Sequence, residues 1–168
     1  VKACLLNSAI DRGRPHVDFE YGYGSLNLNE SLHIIENEQF FIDELESGEE
    51  KSFELMVPPS VKNIKVMLAW TDPPSNLQDS KNLMNDLDLS VIKDNEAYLP
   101  WVLDASIDKL NLPAERKNDE LNPQEQVSIS NPAEGLYQVK IKSNHTGATQ
   151  PFSLVYTFEY NFVVDAPY

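Results

Sequence analysis

The sequence predicts a mainly β fold, an antiparallel β-sandwich or jelly roll, preceded by a short helical segment. From about residue 37, apolar residues recur at every second position in several short runs, which is typical of antiparallel strands with one buried face. Before that point, the spacing is helical and is interrupted by glycines and a proline. We therefore divide the chain into a helical segment, residues 1–36, and a β-sandwich, residues 37–168.

The first predicted helix lies in KACLLNSAID, at 2–11, and ends at RGRP, 12–15. Helical spacing places small and apolar groups on one face: Val1, Leu5, Ser8 and Ala9. We expect the apolar face of residues 1–9 to be covered either by the sandwich or by a neighbouring chain.

A second short helix is predicted within YGYGSLNLNESLHII, at 21–35. Gly22 and Gly24 permit positive φ or the close approach of another segment. Asn27 or Asn29 is suited to cap the helix, because an Asn side chain accepts hydrogen bonds from free N–H groups at a helix start.

The predicted strands follow as alternating runs at 53–57, 64–70, 87–91, 127–129, 137–141 and 152–162. In the second run, Trp70 shares the apolar phase of Ile64 and is expected in the core. The stretch 94–123 is polar and poorly periodic, which indicates a long surface excursion.

Composition excludes several classes of protein. The 168 residues hold 27 acidic groups against 13 Lys and Arg, a net charge of −14. This balance argues against binding to nucleic acid or to an anionic membrane surface, and no apolar run is long enough to span a bilayer. Cys4, the single cysteine, excludes an internal disulfide and a Cys-built zinc site, and we expect it to be a buried thiol.

A candidate calcium site lies where a polar loop meets a strand, at Asn85, Asp86 and Asp88. Ca²⁺ takes six to eight oxygen ligands, and the two carboxylates share one face of the predicted strand. Their repulsion needs relief from a cation, from solvent, from Lys81 or from a backbone donor. Two weaker acidic groups lie in the excursion: Asp104 with Asp108, and Asn118 with Asp119 and Glu120.

A candidate ligand platform is formed by Trp101 and Tyr98, within the irregular stretch. Such aromatic rings stack on sugars or dock a peptide, but a loop tryptophan also serves to pin an excursion to the core. Both interpretations remain open at this point.

Catalytic chemistry has no visible support in these residues. A serine nucleophile needs a histidine base and an orienting carboxylate, and no serine lies in a Gly-x-Ser-x-Gly setting. The three histidines, His16, His33 and His145, are expected to be solvated or to serve packing.

Two sets of motifs carry a resemblance to a known family. KACLLNSA at 2–9, YGYGSLNL at 21–28 and ESLHII at 30–35 resemble the end of a subtilisin-like serine peptidase catalytic domain. The remaining motifs are similar to the oxidatively stable alkaline proteases of bacilli and their bacterial relatives, whose catalytic domain is followed by a jelly-roll β-barrel: LAWTDPP at 68–74, LMNDLDLSV at 83–91, NPQEQVSISNP at 122–132, EGLYQVKI at 134–141 and QPFSLVYTF at 150–158.

This resemblance implies a secreted or envelope-bound endopeptidase with an Asp-His-Ser triad and a calcium-supported fold. None of the triad can be carried over, because the nucleophile motif Gly-Thr-Ser-x-Ala would precede Val1. Asp86 and Asp88 match the family's Asn-Asp-Leu-Asp-Leu signature.

The expected function is therefore that of a non-catalytic, extracellular or envelope-located fragment of a serine endopeptidase. Its partners would be an upstream catalytic domain and the protein or peptide substrates of the parent. One alternative is a free-standing module that binds polysaccharide or a protein surface through the excursion. Another is a pure stabiliser with no ligand beyond an ion.

Overall fold

The computed structural model describes residues 1–74, 83–145 and 149–160. It confirms a mainly β, antiparallel architecture with a short helical segment in front. Lys81, the predicted turn residues Thr146 and Gly147, and Phe162 at the end of the last alternating run lie outside the described residues.

The helices are α1 (Lys2–Asn7) and α2 (Leu28–Glu36). The strands are β1 (Phe40–Leu45), β2 (Glu50–Val57), β3 (Val61–Trp70), β4 (Asp86–Lys93), β5 (Glu96–Tyr98), β6 (Trp101–Val102), β7 (Glu115–Arg116), β8 (Gln124–Ser130), β9 (Gly135–His145) and β10 (Gln150–Tyr160).

Two four-stranded antiparallel sheets face each other. Their strand orders are β1-β10-β3-β8 and β2-β9-β4-β5. The chain changes sheet between β1 and β2, β2 and β3, β3 and β4, β8 and β9, and β9 and β10, a crossing pattern typical of jelly rolls. The apolar phases predicted from the sequence fill the space between the sheets, and Trp70 is buried there as expected.

One strand, β3, is buried on both faces. Ile64, Val66 and Leu68 point into the sandwich, whereas Met67 and Ala69, in the phase predicted to face outward, pack against the helices. Residues 1–36 therefore cover the outer face of one sheet, and the apolar contacts of α1 are made with the sandwich.

The predicted contact face at the first helix is right for Ser8 and Ala9, which are buried, and wrong for Val1. Val1 is 88% exposed, whereas Ala3 and Cys4 are buried against the sheet. The helix ends early, at Asn7, which shares one helical face with Ala3 and Cys4. The buried amide nitrogen of Asn7 lies 3.2 Å from Thr157 Oγ1, so this face meets β10. The expectation of a buried thiol at Cys4 is confirmed.

The predicted cap of α2 is confirmed at Asn27, whose Oδ1 accepts a hydrogen bond of 3.2 Å from Glu30 N. Gly24, just before it, fulfils the expected close approach. Its φ is +113°, and a Cβ there would lie 2.1 Å from the carbonyl oxygen of Ile10.

Two regions differ from the predicted pattern. Strand β1 was not predicted, because Phe40, Phe41 and Ile42 form a continuous apolar run rather than an alternation. The excursion predicted at 94–123 contains β5, which pairs with β4, and a short β6–β7 ribbon that joins Trp101 to Arg116.

Candidate functional site

The two carboxylates of the predicted calcium site lie at the start of β4. Asp86 and Asp88 are half-buried and alternate with the core residues Leu87 and Leu89. Asn144, on the neighbouring strand β9, donates its amide nitrogen to Asp86 Oδ2 at 3.3 Å and also to Asp88 Oδ2. A side-chain donor thus relieves the repulsion between the carboxylates, a solution that the sequence did not reveal.

Asp88 occupies an unfavourable environment for a charge. Burial raises the pKa of the Asp88 carboxyl, and the charges of Asp86 and Glu120 raise it further, while the Asn144 hydrogen bond and the Lys142 charge lower it. Among the described residues, Asp88 Oδ1 is buried without a hydrogen-bond partner.

Asn85, the third predicted ligand, is buried in a different set of contacts. Its amide nitrogen donates to Gln150 Oε1 at 2.6 Å, and its carbonyl oxygen accepts from Trp70 Nε1 at 3.0 Å. Its own N–H donates to Asp72 Oδ1 at 2.8 Å. Asn85 therefore joins the connection between β3 and β4 to β10.

Sequence reasoning missed Glu125, which is 1% exposed. Its Oε2 accepts a hydrogen bond of 2.6 Å from Leu89 N, and its Oε1 accepts one of 3.4 Å from Asp119 N. Burial raises the pKa of Glu125 well above its usual range, and the charges of Asp88 and Asp119 act in the same direction. A signal was present, because Glu125 shares the apolar phase of Val127.

The structure thus brings Asp88 near the Asp119 and Glu120 pair of the excursion and the buried Glu125. The acidic group predicted at Asp104 and Asp108 does not join this cluster. Its Asp104 carboxylate is paired instead with Lys109, at 2.7 Å. Within the described ranges, no three His, Cys, Asp or Glu side chains are arranged to hold a metal ion.

Trp101, the predicted platform, is half-buried at the start of β6. The His16 ring stacks on it with centroids 3.7 Å apart and planes 11° apart, and the Arg116 guanidinium carbon lies 4.2 Å from its centroid. Both groups therefore lie within contact distance of the indole. The indole Nε1 donates to Ser128 Oγ at 2.9 Å.

Tyr98 is joined to this stack through Arg116, whose guanidinium carbon lies 5.5 Å from the tyrosine ring centroid. Arg116 also donates to the carbonyl oxygens of Leu99 and Ser128. The two predicted platform residues therefore lie together, as part of a stack that pins the excursion to β8. A ligand ring could take the stacking position of His16 on Trp101 only after His16 had moved.

Two cavities flank this stack, and His16 and Ser128 line both of them. One, of about 420 Å³, is also lined by Tyr98, Trp101 and Tyr137. The other, of about 710 Å³, lies between the helical segment and the sheet, next to Lys65 and Asn7.

The helical segment also carries exposed apolar side chains. They are between 47% and 60% exposed: Ile10, Phe19, Tyr21, Leu26, Leu28, Leu32 and Ile35. On α2, Leu28, Leu32 and Ile35 follow one another at i, i+4 and i+7 and form one stripe. The same helix buries Ile34 against the sheet.

Comparison with models of known protein families finds no match, and comparison with curated protein sequences finds no significant match either. In the described part of the chain, no helix is long and apolar enough to cross a membrane.

Proposed function

We propose that this chain is the C-terminal part of a secreted or envelope-located subtilisin-like serine endopeptidase. In this role, the β-sandwich stabilises an upstream catalytic domain and helps to position protein or peptide substrates, and the chain itself is not catalytic. The resemblance of residues 1–36 to the end of such a catalytic domain supports the proposal.

The observation that carries the proposal is the pair of apolar faces on the helical segment. Ile34, Ala3 and Cys4 pack on the sheet, while Leu28, Leu32 and Ile35 form an exposed stripe. A surface helix normally carries one apolar face, and contiguous exposed apolar residues mark an interaction site. A segment that is apolar on both sides is suited to lie between two packed units, as a catalytic domain's last helix would.

The first experiment reads the natural coding sequence upstream of Val1. We expect a Gly-Thr-Ser-x-Ala stretch shortly before Val1, with Asp and His motifs further upstream. The extended protein should hydrolyse casein and lose this activity to an active-serine reagent, while the 168-residue chain should not hydrolyse casein. A natural start close to Val1, or an upstream region without these motifs, would overturn the proposal.

The stripe itself is tested in the extended protein with Leu32→Ser. If Leu32 packs on the catalytic domain, its loss should cost about 1.5–3 kcal/mol of stability there and almost nothing in the 168-residue chain. Met56→Ser is the matched control, because Met56 is 63% exposed on β2, in the sheet that the helical segment does not cover. Equal effects of Leu32→Ser in the two proteins would contradict the role of the stripe.

We also propose that Asp86 and Asp88 bind Ca²⁺, which would help to stabilise the sandwich. The unpartnered Oδ1 of Asp88 supports this proposal. The amide nitrogen of Asn144 is a donor and cannot ligate a cation, so the Asn144 side chain would have to turn its oxygen toward the ion. Ca²⁺ would then replace Asn144 as the group that relieves the repulsion.

The rival function is a module that binds polysaccharide or a protein surface through the excursion. The position of Tyr98, Trp101 and Tyr137 around one cavity favours it, but the His16 ring stacked on Trp101 weighs against it. Retention on insoluble glycans that is lost in Trp101→Ala would support the rival, and equal passage of both proteins through the glycan would eliminate it.

A further inference from the structure

The segment 10–25 is a loop closed at its base by two hydrogen bonds of 2.9 Å between the backbones of Ile10 and Ser25. Its first half, residues 11–18, which we call the latch loop, reaches the excursion and the edge strand β8. Arg14 Nη2 lies 3.4 Å from Asn111 Oδ1, and the His16 ring stacks on Trp101.

His16 holds this position under backbone strain. Its φ is +69°, in the left-handed region that residues with a Cβ rarely adopt. Its backbone N–H donates to Asp11 Oδ2 at 2.8 Å. Strained conformations of this kind persist only where surrounding contacts hold them, and the stacking of the ring on Trp101 is one of the contacts that hold the latch loop.

The His16 ring is joined to β8 through Ser128. Ser128 Oγ accepts the Trp101 indole N–H at 2.9 Å and lies 3.3 Å from His16 Nδ1. The hydroxyl donates to Nδ1 when that nitrogen carries no proton and accepts from it when it carries one, because a hydroxyl oxygen has two lone pairs. This contact holds the ring in place over Trp101 together with the stacking.

Burial and two nearby cations oppose protonation of the ring, whereas Asp11 favours it. Arg116, on β7, lies across the indole of Trp101, and Lys65, on β3, lines the larger cavity with His16 and is paired with Glu159 on β10 at 3.3 Å. Burial lowers the pKa of His16, the Asp11 charge raises it, and the charges of Arg116 and Lys65 lower it. The remaining charged or titratable side chains that line the two cavities are Tyr23, Glu30, His33, Lys93, Asp94, Glu96, Tyr98, Tyr137 and Tyr160.

We propose that His16 is an acid-sensitive latch. Its neutral ring closes the latch loop over Trp101, and a proton taken from solvent by the imidazole releases the loop and uncovers that face of the indole. Release also withdraws a side chain that lines both cavities. This device does not depend on the proposed peptidase parent.

The direction of the pH dependence follows from proton linkage. The released ring binds a proton near the ordinary value of 6.5, and the closed ring binds it only at lower pH. The equilibrium between closed and released loop therefore stays constant above that value. As the pH falls below it, the released fraction rises by at most about tenfold per pH unit, the limit for one proton.

The test follows the indole N–H signals of Trp70 and Trp101 by NMR in the intact chain between pH 8 and pH 5. Trp101→Phe assigns the two signals. We expect hydrogen exchange of the Trp101 indole, corrected for its intrinsic pH dependence, to accelerate in a one-proton transition below pH 6.5. The signal of Trp70, whose indole N–H is bonded to Asn85, should stay protected, which separates release of the loop from unfolding.

Two substitutions complete the test. His16→Gln should abolish the pH dependence of the Trp101 signal, and His33→Gln should preserve it, since His33 is an exposed histidine of α2. Persistence of the transition in His16→Gln would overturn the proposal. If that variant does not fold, the wild-type protein still provides a test, in which NMR follows the titration of the His16 ring. A His16 pKa at or above 6.5, with no change in the Trp101 indole signal, would also overturn the proposal.

Discussion

Glu125, on β8, accepts a hydrogen bond of 2.6 Å from the backbone N–H of Leu89, on β4 in the opposite sheet. Hydrogen bonds between facing sheets are unusual, because the space between them is filled by apolar side chains. This bond lies next to the half-buried Asp88 and connects the core of the sandwich to the candidate metal site.

Substitution of Glu125 tests what this bond contributes. Glu125→Ala should lower the free energy of unfolding by about 1–3 kcal/mol, because it leaves the buried N–H of Leu89 without an acceptor. Glu125→Gln retains an acceptor oxygen, so at acidic pH it should lower the free energy of unfolding by less than Glu125→Ala does. Urea unfolding of the three proteins at pH 5 measures both, and equal losses would show that the acceptor does not matter.

The pH dependence gives a second test of the same residue. Since burial raises the pKa of Glu125, the native state holds its proton at a pH where the unfolded chain has released it. The contribution of the protonated group is fully present below 4.5, the ordinary value, and is lost as the pH rises through the folded-state pKa. The stability of Glu125→Gln relative to wild type should therefore rise between pH 4.5 and pH 7, and a constant difference would refute this account.

The substitution Asp88→Asn distinguishes between two roles of Asp88, that of a calcium ligand and that of a half-buried charge that destabilises the fold. Burial raises the pKa of Asp88, so without Ca²⁺ the uncharged amide should leave the Tm at pH 7 unchanged or slightly higher. Added Ca²⁺ should raise the Tm of the wild type and not that of Asp88→Asn. Asp104→Asn is the control, because that carboxylate is paired with Lys109. An equal response to Ca²⁺ in the wild type and Asp88→Asn would remove the metal proposal.

Gly24 and Gly22 form a matched pair within the loop 10–25. Both have positive φ, but a Cβ at Gly22 meets no atom within 4 Å, whereas one at Gly24 collides with the backbone of Ile10. Gly22→Ala should cost about 1–2 kcal/mol, the penalty of left-handed backbone. Gly24→Ala should cost clearly more, and thermal unfolding that ranks them in the opposite order would contradict the observed approach.

The packing of α2 on the sheet is tested by two neighbouring isoleucines. Ile34 is fully buried against β3 and β10 and Ile35 is 49% exposed. Ile34→Ala should therefore destabilise the 168-residue chain by about 2–5 kcal/mol, and Ile35→Ala should cost much less. Denaturant unfolding measures both changes. Similar costs would mean that the helix does not dock through Ile34.

The sequence by itself determined the class of fold and the phase of most strands. Alternation decides which side of a strand is apolar, so the burial of Trp70 followed from its spacing, and the cap at Asn27 followed from local hydrogen bonding. Both depend on residues within a few positions of each other. The same reasoning missed β1, where Phe40–Ile42 carries no alternation. It also put Val1 on the contact face of α1, which the structure builds from Ala3 and Cys4.

Only the tertiary structure decided which distant side chains meet. Glu125 reaches Leu89 across the sandwich, Asn144 lies between Asp86 and Asp88, and His16 covers Trp101. These contacts join strands and loops that are far apart along the chain, and the order and facing of the sheets bring them together. Periodicity carries information about one strand at a time, so it predicts which residues are buried but not against which partners.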